Sequence, residues 1–410
     1  MAMPTDRTIP ILAASRTYDA KVAPGLLPRL GEFVQSLGFR SRVRLIVDAG
    51  IPARFIDAAR QSLAQAGCSV AVSTALADEF HKSLAAVERL LHDLLAARHE
   101  RNDPIIAIGG GVVTDVAGFV AAIYRRGVPV IHCPTTLLAM VDASVGGKTG
   151  VNLALSAPGG TTESSQSCSP TSGELVKNMV GAFWQPRLVL CDTDTLTTLP
   201  PRHLRSGLAE CLKHGLISSG LASGQGHDGS LWSWTLANLD RCLSLDPAVL
   251  AELIARNIAV KAGVVGSDER EEAPSSQGGR ALLNLGHTFA HAIETLPGLS
   301  PDNRPASAPL HHGEAVAYGL IAAAAASHAA GSIPMADVEA VRAAVSRLGV
   351  APRLANLPPD EVLIERMHHD KKAAGGKLRL VLLKRLGEAQ VVENPPTEVV
   401  QAGWAAIRGA

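Results

Sequence analysis

The chain has 410 residues, enough for two domains that each bury a real core. Lysine plus arginine equals aspartate plus glutamate at 38 each, so no global charge favours a nucleic acid or an anionic membrane as partner. Hydrophobic residues make up 47% of the chain, yet no uninterrupted apolar run reaches the length of a membrane span.

The opening "MAMPTDRTIPILAAS" lacks a basic start followed by a long apolar core, so no signal peptide is expected. Six cysteines (Cys68, Cys133, Cys168, Cys191, Cys211, Cys242) are scattered without a C-x-x-C pair, as reduced thiols in a cytoplasmic protein would be.

In chain order, the first half alternates strand and helix patterns. "RVRLIVDAG" (42–50) reads as a buried strand, and "LAAVERLLHDLLAARHE" (84–100) as an amphipathic helix. "PIIAIGGG" (104–111) is a strand running into glycines, followed by the helical "VTDVAGFVAAIYRRG" (113–127) and the strands "VPVIHCPTT" (128–136) and "RLVLCDTDTL" (187–196). This alternation predicts an α/β, Rossmann-like domain with a parallel sheet over residues 1–195. Beyond Pro200 the runs "LAECLKHGLI", "AVLAELIARNIAVKAGVV", "GRALLNLGHTFAHAIETL", "GEAVAYGLIAAAAASHAA" and "MADVEAVRAAVSRLG" all have helical periodicity. Only "KLRLVLLKRLGEAQVV" reads as a hairpin, so residues 196–410 are expected to form a mainly α-helical domain. The Ser/Thr/Gly/Pro-rich segment 156–174 reads as a mobile surface excursion, and 297–310 as a Pro-rich loop.

Four motifs carry polar groups into this apolar frame. "IIAIGGGVVTD" (105–115) places glycines where a strand meets a helix, as a pyrophosphate site requires. Thr114 occupies the final glycine position of G-x-G-x-x-G, so a plain tight turn explains it equally, and Asp115 is equally a first-turn acid facing the helix dipole. "PTTLLAMVDASVGGKTGVN" (134–152) gathers Thr135, Thr136, Asp142, Lys148 and Asn152, and favours an anion-binding Lys148. In "GLAECLKHG" (207–215), Glu210 and Lys213 are spaced as a simple intrahelical ion pair.

The fourth motif places His287 and His291 one helical turn apart, on one face. The zinc-protease helix needs glutamate after its first histidine, and Thr288 stands there. Taken together, Glu210, His287 and one of His311 or His312 make a Glu-His-His zinc set with an open position, the pattern of a catalytic site.

These blocks, with "KNMVGAF", "DTDTLTTLP", "SDERE", "HHGEAVA" and "DKKAAGGKLRLVLL", occur in the order that resembles 3-dehydroquinate synthase and the wider sugar phosphate cyclases over roughly residues 40–395. The resemblance implies NAD and a divalent metal, zinc with cobalt as a substitute, and a sugar phosphate substrate. It selects Glu210, His287 and His312 as metal ligands. For NAD it implies Asp48, Glu79, Lys82, Gly110, Gly111, Val112, Asp115, Thr135, Thr136, Lys177 and Thr198. For substrate it implies Arg126, Asp142, Lys148, Asn178, Lys213, Lys261, Arg280, Asn284 and Lys371, with Glu271 and His291 in proton transfer.

The implied reaction begins with transient oxidation of a hydroxyl, which acidifies the neighbouring C–H. Loss of phosphate, return of the hydride, ring opening and an aldol closure follow. Arg126, Lys148, Lys371, Asn178 and Asn284 suit a phosphate, whereas Lys261 and Arg280 suit a carboxylate. That carboxylate pair favours a heptulosonate phosphate over sedoheptulose 7-phosphate, the substrate of related cyclases. A metal-dependent polyol or glycerol-phosphate dehydrogenase is the alternative of another reaction class.

The family also implies a homodimer in which Arg126 reaches the neighbouring subunit's phosphate. Two positions depart from the family pattern: Gly50 replaces an asparagine beside the adenosine ribose, and Trp184 replaces a histidine.

Overall fold

The computed structural model describes residues 6–40, 42–154, 175–220, 231–273, 278–369 and 378–409. The 156–174 excursion, Cys168 and Lys371 lie outside these residues. No helix among them is long and apolar enough to cross a membrane.

The chain opens with β1 (Arg7–Ala13) and β2 (Arg16–Ala23), then α1 (Leu30–Ser36), β3 (Arg42–Asp48), α2 (Ala53–Gln65) and β4 (Ser69–Ala75). It continues through α3 (Leu84–Ala96), β5 (Ile105–Gly109), α4 (Gly111–Ile123) and β6 (Val130–Pro134). A π-helical turn at Ala139–Ala143 precedes β7 (Lys148–Ala154), β8 (Leu175–Phe183) and β9 (Leu188–Asp192). Helices follow: α5 (Pro201–Ile217), α6 (Leu231–Leu243), α7 (Pro247–Ser267), α8 (His287–Glu294), α9 (His312–Ala329), α10 (Met335–Arg347) and α11 (Asp360–His369). The hairpin β10 (Arg379–Arg385) and β11 (Glu388–Glu393) and then α12 (Thr397–Ile407) end the chain.

Two compact units result, and they do not follow a single cut at residue 195. One comprises residues 25–135 and 143–192; the other gathers 1–24, 136–142 and 193–410. The N-terminal segment joins the helical unit because its hairpin is tied there. Arg7 pairs with Glu252 on α7, and the Ser15 backbone N–H donates to Glu269.

The α/β unit holds five parallel strands in the order β9-β6-β5-β3-β4. All residues of β5, β6 and β9 are buried, which explains their largely apolar sequences, interrupted only by His132 in β6 and Asp192 at the end of β9. Ile46, Ile105 and Ala107 of the strands pack with Val87, Leu90 and Leu94 of α3 and Val113, Val116 and Val120 of α4. The Gly-rich segment leads into β7, which contains Asn152 and pairs antiparallel with β8.

In the helical unit, α9 is buried on nearly every face, as a helix apolar all round must be, and α5 is buried from Ser206 onwards although it carries Glu210, Lys213 and His214. The run 280–296 is not one helix. A 3₁₀ turn covers Gly279–Asn284, and α8 begins only after Gly286, whose φ of +79° a non-glycine residue rarely adopts. A Cβ on Gly286 would lie 2.9 Å from the Gly319 carbonyl carbon, so the bare backbone lets α8 meet α9. Similarly, a Cβ on Gly313 would lie 2.3 Å from the Ser206 carbonyl oxygen. That contact seats the start of α9 on α5, and with it the next residue back, His312.

Candidate metal and cofactor sites

These helix contacts bring three candidate ligands of the helical unit together. Glu210, wholly buried on α5, faces His287 Nε2 at 3.7 Å and His312 Nε2 at 3.5 Å through Oε1. The ligand atoms of the three residues lie within 4.8 Å of one another. Lys213 Nζ sits 2.5 Å from Glu210 Oε2, so the intrahelical ion pair exists alongside the histidine cluster rather than instead of it.

Neither Glu210 oxygen accepts a well-directed hydrogen bond among the described residues. A buried carboxylate in that state fits a cation, as does the pairing of one carboxylate with two imidazoles. Burial alone would raise the Glu210 carboxyl, but Lys213, His312 and His287 outweigh it and hold it well below the usual carboxylate range. Burial and then Lys213 lower the His287 imidazole to about 3. Burial also opposes a charge on His312, yet Glu210 and Glu294 on its two sides push it up to about 10.

Asp142, Glu210 and His214 form a second group within ligand range of each other. It is the poorer metal set, because Asp142 is committed to Lys213 and Lys261, and His214 Nδ1 lies 3.1 Å from Asn257 Oδ1.

Beside the ligands lies a buried cation cluster. Lys213 Nζ is 3.4 Å from Asp142 Oδ2, and Lys261 donates to both the carboxylate and the backbone carbonyl of Asp142. Arg280 is buried as well, its backbone N–H on Asp268 and its Nη1 on the Glu269 carbonyl oxygen. Burial, only partly offset by Asp142 and reinforced by Arg280 and Lys213, lowers Lys261 to about 8. Glu271, Asn284 and His291 are exposed, with His291 ring-to-ring with His287 at 5.6 Å. Thr136 accepts from the Ala139 N–H and Thr198 donates to the Thr195 carbonyl, both local turn contacts.

His311 and His312 have different surroundings. His311 stacks on His203 at 4.9 Å, and its backbone N–H donates to Glu314 at the start of α9. Among the adjacent pair, His312 is therefore the one in the cluster.

The α/β unit carries the remaining candidates. Gly110 caps α4, with Gly111 and Val112 in its first turn, and the Thr135 N–H donates to the Gly109 carbonyl at the end of β5. Asp115 lies past that first turn, so it is no dipole-facing acid: it accepts from Lys82 Nζ at 2.6 Å. Lys82, buried, also donates to Asn178 Oδ1 at 2.5 Å.

Asn152, to which the sequence reading gave no role, completes this network. Its Nδ2 donates to Glu79 Oε2 at 2.7 Å, its Oδ1 accepts from the Asn178 N–H at 3.0 Å, and its own N–H donates to the Lys82 carbonyl. One asparagine thus links residues implied for NAD with one implied for substrate.

Asp48 Oδ1 accepts from the Gly50 N–H at 2.8 Å. Lys177 is half-buried, while Lys148, at the start of β7, and Arg126, in a turn with φ +63°, are exposed. Trp184 covers Gly127 and donates through Nε1 to the Val128 carbonyl, a packing role.

Comparison with known proteins gives a consistent result along the whole chain. The family described as 3-dehydroquinate synthase N-terminal matches residues 72–157 and 171–206, and 3-dehydroquinate synthase C-terminal matches 207–373. A 3-dehydroquinate synthase of Caulobacter vibrioides is 39% identical over 401 residues, 97% of each chain. Among solved structures, 2-deoxy-scyllo-inosose synthase complexed with carbaglucose-6-phosphate, NAD+ and Co2+ is 25% identical, with a TM-score of 0.77 over 98% of this chain and 100% of that one. The 2-epi-5-epi-valiolone synthase of Streptomyces hygroscopicus subsp. jinggangensis, with NAD+ and Zn2+ bound, is 24% identical, with a TM-score of 0.76 over 95% of this chain and 96% of that one, and shares the fold.

Proposed function

Because the chain belongs to the 3-dehydroquinate synthase family, we propose that it converts 3-deoxy-D-arabino-heptulosonate 7-phosphate to 3-dehydroquinate and phosphate, a carbon–oxygen lyase step towards aromatic amino acids. The observation that carries this reading to the site is the buried Glu210, flanked by two histidines and by the cluster of Lys213, Lys261 and Arg280. A divalent cation held there would meet a hydroxyl and the lysine–arginine group would meet a carboxylate, the two handles that this substrate offers.

Glu210, His287 and His312 would hold the metal, which would supply Lewis-acid polarisation of the oxygen being oxidised. We take it to be zinc, with cobalt able to replace it. NAD would supply a hydride acceptor that returns the same hydride. Its residues would be Asp48, Glu79, Lys82, Gly110, Gly111, Val112, Asp115, Thr135, Thr136, Lys177 and Thr198.

Lys261 and Arg280 would bind the carboxylate, with Asp142 holding Lys261 in place. Arg126, Lys148, Asn178, Asn284 and Lys371 would bind the phosphate. The Glu271 carboxylate and the His291 imidazole, both on the exposed side, would move protons. A cytoplasmic homodimer with Arg126 reaching its partner's site completes the proposal.

The test is optical. A cyclase returns its hydride each cycle, so phosphate should be released from the substrate with catalytic NAD and no accumulating NADH absorbance. NADH rising in step with substrate consumed would instead mark a polyol-type dehydrogenase.

A further inference from the structure

The helix that carries His287 as its first residue carries Glu294 as its last, seven positions on and therefore on the same face. Glu294 Oε2 lies 3.2 Å from Nδ1 of His312, the side chain being only about one-tenth exposed. The other ring nitrogen of His312, Nε2, is the one that faces Glu210. His287 repeats the arrangement: Nδ1 lies 3.3 Å from the Leu285 carbonyl oxygen, and Nε2 faces the same Glu210 oxygen.

A carbonyl oxygen or a carboxylate can only accept, so the nitrogen facing it must carry the hydrogen. Each Nδ1 therefore keeps its hydrogen, and Nε2 is the nitrogen turned towards Glu210 and left to meet an ion. Their anchors differ in kind. Leu285 offers a backbone atom that no substitution removes, whereas Glu294 offers a side chain that a substitution can remove.

We propose that Glu294 is a positioning residue for the metal, fixing the tautomer and direction of His312 so that Nε2 is presented to the ion. The inference rests on the reading of Glu210, His287 and His312 as ligands. Carboxylate partners of metal-bound histidines typically change metal affinity about 10–100-fold when removed.

The test is zinc affinity, measured on metal-stripped protein by competition with a chromophoric chelator at one pH, for wild type and for Glu294→Ala, Glu294→Gln, Glu294→Leu, His312→Ala and His311→Ala. Glu294→Ala should bind zinc about 10–100-fold more weakly. Glu294→Gln should lose less, because its amide oxygen still accepts from Nδ1–H. With cobalt as probe, the visible spectrum of Glu294→Ala should differ from wild type, reporting altered ligand geometry.

A merely structural Glu294 would lower the melting temperature of the metal-free protein and leave affinity unchanged; that result overturns the inference. If Glu294→Ala does not fold, Glu294→Leu, which fills similar space but cannot accept from Nδ1–H, decides, with a several-fold loss supporting the role and wild-type affinity refuting it. His312→Ala separates the two readings. Should it too bind zinc normally, the ligand assignment itself is wrong; loss of zinc in His312→Ala but not in Glu294→Ala or Glu294→Leu refutes only the positioning role.

Discussion

Lys261 holds its ammonium group against Asp142, donating to the carboxylate and to the main-chain carbonyl oxygen of that one residue. Lys213 approaches the same carboxylate from α5. Asp142 therefore presents two buried cations in fixed positions, and Arg280 adds a third buried positive charge to the helical unit. Such an arrangement suits a planar anion, which is the group that distinguishes a heptulosonate phosphate from sedoheptulose 7-phosphate.

Selectivity follows from that difference. Removing Lys261 or Arg280 should forfeit a charge-assisted contact worth roughly 1.5–3 kcal/mol with the carboxylated substrate. Steady-state kinetics of Lys261→Ala and Arg280→Ala on both sugar phosphates should show kcat/KM falling about 10–150-fold for the heptulosonate, and much less for any residual turnover of sedoheptulose 7-phosphate. Equal losses on both would remove the carboxylate role.

The alkaline limb of activity should belong to Lys261. Burial lowers it from its usual value to about 8, so above that pH the free enzyme loses the charge that meets the carboxylate. The stability effect has the opposite sign. Between about 8 and the ordinary lysine value the unfolded chain binds a proton that the native one has released, so this group's contribution to stability rises with pH. We expect kcat/KM to fall above about pH 8 while the melting temperature does not fall over the same range on account of this residue. Lys261→Arg, charged throughout, should lack that limb; a wild-type profile flat to pH 9.5 would contradict the assignment.

Asn152 should matter for both stability and cofactor affinity. Its side chain satisfies Glu79 and the Asn178 N–H, and it is buried. Asn152→Ala removes those hydrogen bonds, and because Glu79 and Asn178 are exposed to water the loss should be about 0.5–1.5 kcal/mol for each bond. Denaturant titration should show that loss, and NAD binding by fluorescence should weaken because Glu79 and Lys82 are no longer tied together. Unchanged NAD affinity in a destabilised variant would reduce Asn152 to a purely structural residue.

A shared site in a homodimer can be tested by mixing subunits. Arg126→Ala and Glu210→Ala proteins, each inactive, are combined in equal amounts and allowed to exchange. If Arg126 serves the partner's site, half the dimers carry one intact site, and up to about a quarter of wild-type activity returns. Verified heterodimers without activity would place Arg126 in its own subunit's site.

The parallel core was legible because β3, β5, β6 and β9 are largely buried on both faces and so read as short, mainly apolar runs. The hairpin of residues 7–23 was not, since β1 is mostly exposed, with polar and charged residues among the apolar ones and Pro10 in its middle. The β7–β8 ladder was hidden for another reason: its strands are twenty residues apart in sequence, and pairing across such a gap leaves no local pattern.

In the site, spacing on one helix showed His287 and His291 as neighbours, but adjacency in sequence could not separate His311 from His312. Only the seating of Gly313 on α5 turns one towards Glu210 and the other towards His203. Glu294 stood in the same heptad face as His287 and was readable in principle, yet its partner lies eighteen residues away on another helix.

The most direct measurement offers 3-deoxy-D-arabino-heptulosonate 7-phosphate and sedoheptulose 7-phosphate separately to the zinc- and NAD-supplied protein and identifies the products by mass. The account predicts 3-dehydroquinate and one equivalent of phosphate from the first, with negligible conversion of the second. A carbocycle formed efficiently from sedoheptulose 7-phosphate, with the heptulosonate left unchanged, would contradict it.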